Sequence, residues 1–281
     1  MTRRLQQFFT AQHLLIIIGG LLVLLAVVFA LAAPLIAPYP YDKQHLRSTF
    51  MPPLTPGFVL GTDELGRDLL SRLLYGSQVS LFVGFLTTLV SAAVGVPMGL
   101  IAGFYGGRTD IIISRLIDGV LAIPPVLLGI AIVSVVEPGI ATVVGALAAV
   151  WWATFARYVR AETMLLRSMP YIEAARGLGG SDRRILFAHI LPNLLPTILI
   201  LSSLTIAAAI IVEATLSFLG VGIRPPTPSW GGMLSTARRY LSTAWWLSTF
   251  PGLAITFVVL GFNLFGDGLR DLTDPSLRNR R

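Results

Sequence analysis

The chain has 281 residues, of which 54% are hydrophobic and only 12% charged, with a net charge of +7 and a mean hydropathy of +0.77. Soluble domains average about 25% charged residues, so an ordinary water-soluble globule is excluded. The complete lack of cysteine removes disulfides, thiolate metal sites and cysteine chemistry. Apolar blocks long enough to cross a bilayer, which takes about 20 residues of helix, recur as Leu14–Ile36, Val79–Phe104, Ile111–Val136, Ile140–Tyr158, Leu194–Leu219 and Thr249–Phe265. Several lack period-two alternation and run too long for barrel strands, which leaves helices as the spanning solution. The expected fold is all-α: a polytopic membrane protein with six transmembrane helices.

The first block follows Arg3-Arg4 and imitates a signal peptide. Its apolar run continues to Ile36, past the roughly 7–15 residues of a signal core, so a retained helix is expected. Residues 38–60 are rich in proline and polar residues and read as an irregular outer loop. In "GTDELGRDLLSRLLYGSQVSL" (61–81), Leu65, Leu69, Leu73 and Leu74 share one face. With Thr62 as N-cap and Gly76 as C-cap, this stretch predicts an amphipathic helix over 61–78 lying against the membrane or the bundle. The segments are therefore 1–60, 61–78 and a core of 79–281.

Within the second span Gly95, Gly99 and Gly103 recur every four residues, a spacing that lets helix backbones approach closely. Pro97, and Pro124-Pro125 in the third span, predict kinks whose freed carbonyls need other partners. Asp118 lies three residues after Arg115, and an i,i+3 pair snorkelling toward the inner surface is preferred over a place in the path or between helices. Glu213 lies deeper, toward the outer end of the fifth span, with no basic neighbour within a turn. Carboxyls inside a membrane are costly; this one either lines a path or pairs with another helix or subunit. Trp245-Trp246 read as interface anchors.

With the N-terminus inside, fourteen of the 21 basic residues fall in inner segments and seven in outer ones. The positive-inside bias places both termini in the cytoplasm and accounts for the net charge without any nucleic acid. Enzyme signatures are missing: there is no G-x-x-x-x-G-K-[ST], H-E-x-x-H or G-x-S-x-G. The only lysine, Lys43, lies in the outer loop, and His13, His45 and His189 are far apart. No catalysis, metal or cofactor is expected in this chain.

One stretch stands apart from the apolar spans: "MPYIEAARGLGGSDRRILFAHILPNLLP", residues 169–196. Pro170 suits a first helical turn, and "PYIEAARGL" forms a compact helix with Ala174, Ala175 and Gly177 beside Glu173. Gly179-Gly180 ends it, Ser181 caps "DRRILFAHI", and Leu191-Pro192 breaks the chain again before the fifth span. Two tight breaks and so many small residues describe a cytoplasmic docking knob, within segment 159–193, better than a solvated loop.

"EAARGLG" (173–179) followed by Leu191-Pro192 resembles the EAA motif of permease subunits of binding-protein-dependent ABC importers. His189 stands where the general motif usually has isoleucine, with Ile190 one residue on. "GTDELGRDLLSRLLYGSQVSL", "SFLGVGIRPPTPSWGGML" (217–234) and "GFNLFGDGLRDLTDP" (261–275) are similar to the C-type permease of dipeptide, oligopeptide and nickel importers. The resemblance implies the type I importer permease fold in a bacterial or archaeal plasma membrane. It implies that Tyr171, Ile172, Glu173, Ala174, Ala175, Arg176, Gly177, Leu178 and Gly179 form a coupling helix docking on an ATPase. The partners it implies are a B-type permease of similar fold, two ATPase subunits holding ATP and magnesium, and an external substrate-binding protein. A secondary transporter would show midplane substrate sites and usually an inverted repeat, and a channel has no reason for a coupling knob.

Overall fold

The computed structural model describes residues 11–137 and 139–273. Among them every regular element is a helix, as backbone groups surrounded by lipid require. Five helices are long and apolar enough to cross a membrane, and a bent pair makes a sixth candidate. Helix α1 (Ala11–Ile36) lies along the last helix. Residues 37–68 form an irregular loop. Helix α2 (Leu69–Tyr105) then runs for 37 residues, about 55 Å at 1.5 Å per residue.

The amphipathic helix expected over 61–78 is not a separate element. Gly61 and Gly66 have φ of +84° and +69°, so the chain turns tightly there. The helix starts only at Leu69, where the Asp68 carboxylate accepts from Ser71 N at 2.8 Å. Thr62 caps nothing: its hydroxyl donates to the Ser48 carbonyl and accepts from Met51 N, stitching the loop together. Gly76 is inside α2, facing the Trp230 indole.

The third expected span is two helices, α3 (Gly107–Leu121) and α4 (Pro125–Val135), bent by 84°. Pro124 and Pro125 have no N–H to return to the carbonyls one turn back, so the helix cannot continue. Helix α5 (Ile140–Arg167) makes the most extensive helix contact in the molecule with α2. The glycine stripe is the cause. A Cβ on Gly95 would lie 2.6 Å from Phe155 Cβ, and one on Gly99 or Gly103 would lie 2.6 Å from the Ala156 or Arg160 carbonyl oxygen.

After the short α6 (Pro170–Gly177), helix α7 runs from Asp182 to Phe218. The break expected at Pro192 is absent. Residues Ile185–Ile190 adopt a π-helical turn, and Pro192 falls where i−5 bonding returns to i−4. Asn193 Nδ2 there covers the His189 carbonyl at 2.6 Å. Helices α8 (Trp230–Ala237) and α9 (Trp246–Thr273) are the last α-helices among the described residues. Trp245 is exposed as an anchor would be, but Trp246 is buried. Its indole Nε1 donates to the Thr62 carbonyl at 3.2 Å, so it packs against protein.

Candidate functional site

The EAA stretch sits where the far ends of α2 and α5 meet the start of α7. Met169 is extended, Pro170 opens α6 at the first turn, and Leu178 closes it. Gly179 has φ +83°, the left-handed region that glycine enters at little cost. Its N–H donates to the Arg176 carbonyl, and the N–H of Gly180 to that of Ala175, both at 3.0 Å. Ser181 then caps the next helix, accepting from Arg184 N at 3.4 Å.

One face of α6 is anchored and the other is open. Ile172, 1% exposed, sits in a cluster with Leu100 and Phe104 of α2, Val159 of α5, and Ile185, Leu186, Ile190 and Leu194 of α7. Arg176 lies over the Phe104 ring, 5.6 Å from its centre. Tyr171, Glu173, Ala174, Gly177 and Gly179 are exposed, and Leu178 is 90% exposed. Ala175 is half-buried, because Gly180 closes on its carbonyl. The open surface is thus carried by Ala174 and Gly177 more than by Ala175. Leu191 is half-buried and Pro192 exposed. The one sequence signal for Ile172 as the anchor is that it is the lone β-branched residue in this short helix; nothing in the pattern points to Phe104 as its seat.

Neither acidic candidate belongs to the cluster that seats α6. Asp118 does not pair with Arg115. Its Oδ1 accepts from Arg157 Nη2 of α5 at 2.8 Å, because α3 lies across α5 and brings the longer-range arginine nearer. About two turns earlier on α3, Asp110 takes a two-pronged pair from Arg160, with Nη2 to Oδ2 at 2.7 Å. Glu213 is fully buried. Ser217 Oγ donates to it at 2.8 Å, and Ser80 and Ser229 face it as well. Its other oxygen, Oε2, is buried without a hydrogen-bond partner, close to the point where α2 meets the start of α8 through Trp230 N donating to Ser80 Oγ at 3.3 Å. No grouping of His, Asp and Glu among the described residues has the makings of a metal site.

The family model for the binding-protein-dependent transport system inner membrane component matches residues 95–279. The chain belongs to that family. A second model, for the N-terminal transmembrane domain of oligopeptide transport permease C, matches residues 11–53 of this permease. The dipeptide transport system permease protein DppC of Haemophilus influenzae is 43% identical to it over 276 residues, 96% of this chain and 94% of that one. The di/tripeptide transport system permease protein DppC of Pseudomonas aeruginosa is 44% identical over 268 residues, 93% and 88% of the two chains. The glutathione transport system permease protein GsiD of Pectobacterium atrosepticum is 42% identical over 271 residues, 96% and 90%. Among solved structures, an inward-facing MetNI methionine ABC transporter matches with a TM-score of 0.57 at 19% identity, covering 75% of this chain and 96% of that chain. That likeness shows the fold, an ABC importer permease. The molecule is a multi-pass permease subunit of a binding-protein-dependent transport system.

Proposed function

We propose that this permease forms half of the translocation path of an ATP-driven importer of di- or oligopeptides or a peptide-like solute, with α6 as its coupling helix. The observation that carries this reading is the two-sidedness of α6: a single buried isoleucine seats it on three long helices, while its small-residue face stays open. A rigid, low-profile knob joined to spanning helices suits transmission of movement from a separate ATPase. The substrate class rests on the names of the relatives, which span dipeptides, tripeptides and glutathione.

In this reading the α6 end is cytoplasmic, as the arginine bias requires, and both termini share that side of a bacterial or archaeal inner membrane. The chain is non-catalytic. ATP and magnesium belong to two partner ATPase subunits, a homologous B-type permease supplies the other half of the path, and an external binding protein delivers the solute.

The test is Ala174→Arg, which places a bulky charge on the open face without touching Ile172. It should leave the permease inserted and paired with its partner permease, while abolishing peptide uptake and co-purification of the ATPase. Normal uptake by this variant at wild-type expression would overturn the docking role.

A further inference from the structure

Glu213 lies fully buried in α7, 0% exposed, and the docking role of α6 makes no use of it. In that position it touches neither a water-filled path nor another subunit. Among the described residues no basic side chain pairs with it either. A carboxyl so enclosed is costly unless hydrogen-bond donors are aimed at it.

Three serines supply those donors. The segment 219–237 leaves the end of α7 and folds back among the helices, with Gly222, Ile223, Ser229, Trp230, Gly231 and Met233 buried. Backbone N–H groups tucked in this way need partners, and three of them take a serine oxygen. Ile223 N donates to Ser217 Oγ at 3.3 Å, Trp230 N to Ser80 Oγ at 3.3 Å and Gly232 N to Ser229 Oγ at 3.1 Å. A hydroxyl that accepts still has a proton of its own to place. Ser217 places it on Glu213 Oε1 at 2.8 Å. The hydroxyls of Ser80 and Ser229 face the same carboxyl, whose Oε2 is the oxygen without a partner. Packing presses the segment onto the same spot: a Cβ on Gly222 would collide with Ser217, and one on Gly231 with Ala214.

Resting on the importer reading above, we infer that Glu213 is the positioning residue of the outer segment 219–237. By accepting from Ser80, Ser217 and Ser229 it orients the three hydroxyls whose oxygens hold that segment's backbone. It acts through hydrogen bonding and not through charge. Helix α7 carries this carboxyl near one end, and its other end packs with Ile172 of α6. The segment at the mouth where solute is delivered is thereby set in register with the helix that meets the docking unit.

The test is amide hydrogen exchange across 219–234 in the assembled complex, beside peptide uptake at wild-type expression. Glu213→Leu removes the acceptor, so exchange at Ile223, Trp230 and Gly232 should quicken about tenfold or more. Uptake should be lost while the ATPase still co-purifies. Glu213→Gln offers a carbonyl to the hydroxyls and an amide to their remaining lone pairs, so it should keep slow exchange and most of the uptake. Unchanged exchange in Glu213→Leu would mean that the serines hold the segment alone. Slow exchange with lost uptake in Glu213→Gln would mean that charge at this position serves transport. Either result overturns the inference. Should Glu213→Leu fail to assemble, Glu213→Asp is read in its place. It withdraws the carboxyl from the serines by one methylene and should quicken the same amides; unchanged exchange there overturns the inference equally. A wild-type complex that imports no peptide would instead count against the substrate reading, and the exchange result would still be scored.

Discussion

The two ends of this permease are built on opposite plans. At the loop end, residues 37–68 are tied down by a buried polar knot. Asp63 accepts from the Leu65 and Arg67 N–H groups at 2.9 Å and from Arg67 Nε at 2.7 Å, and it lies 3.5 Å from Arg72 Nε. Arg67 reaches Glu64 at 3.0 Å, and Arg72 Nη1 donates to the Tyr41 carbonyl at 3.2 Å. At the other end α6 is held by one apolar peg and one cation–π contact, with no ion pair to the bundle among the described residues. A many-membered polar network is stiff and fails all at once. A peg in an apolar socket holds position yet leaves the outer face uncommitted.

That contrast predicts an order of effects. Asp63→Ala should be the most damaging, since it leaves Arg67 and Arg72 buried without their shared carboxylate, a loss of about 3–5 kcal/mol for breaking a buried pair. Thermal unfolding of the detergent-solubilised complex, followed by the fluorescence of Trp246 beside Thr62, should show a clearly lowered midpoint. An unchanged midpoint would mean that the knot is ornamental and the two ends are alike.

Ile172→Ala comes next. Truncating a buried isoleucine costs about 2–5 kcal/mol, and the lower part of that range is expected because an exposed helix can settle onto the gap. The effect should be local: faster proteolysis within 170–181, with the global midpoint nearly kept. Gly179→Val is the smallest. A left-handed residue costs about 1–2 kcal/mol more for a β-carbon-bearing side chain, and the site is open, so no clash adds to it. It should reduce ATP-dependent uptake through misplacement of α6 while leaving unfolding unchanged; a midpoint drop matching that of Asp63→Ala would erase the distinction between the ends.

How much of this was legible from residues alone follows the range of the interactions. Five of the apolar spans, the glycine stripe and the helix end at Gly179 depend on neighbours in sequence or on a small-residue spacing, and each is seen in the structure. The break at Pro124-Pro125 was legible as a kink, but its 84° size was not, since that is set by how α3 lies on α5. Asp118 was assigned to Arg115 because only local partners are visible in a pattern; Arg157, 39 positions away, was not. The start of α2 was misplaced for a related reason. Leucine periodicity continues smoothly through 65–74, whereas Gly61 and Gly66 take conformations fixed by contacts with residues 45–53.

The π turn in α7 decides which side chains face inward. Ile185, Ile190 and Leu194 are all fully buried, and their spacing is five and then four. An unbroken α-helix would turn position 189 inward instead. The wider turn absorbs one extra residue, which delays the helical phase by about 100°. The inward position therefore falls on Ile190, and His189 is left half-buried beside it. Leu194, four residues further on, returns to the same apolar cluster as Ile185, so the helix on both sides of the π turn keeps its apolar side toward the bundle.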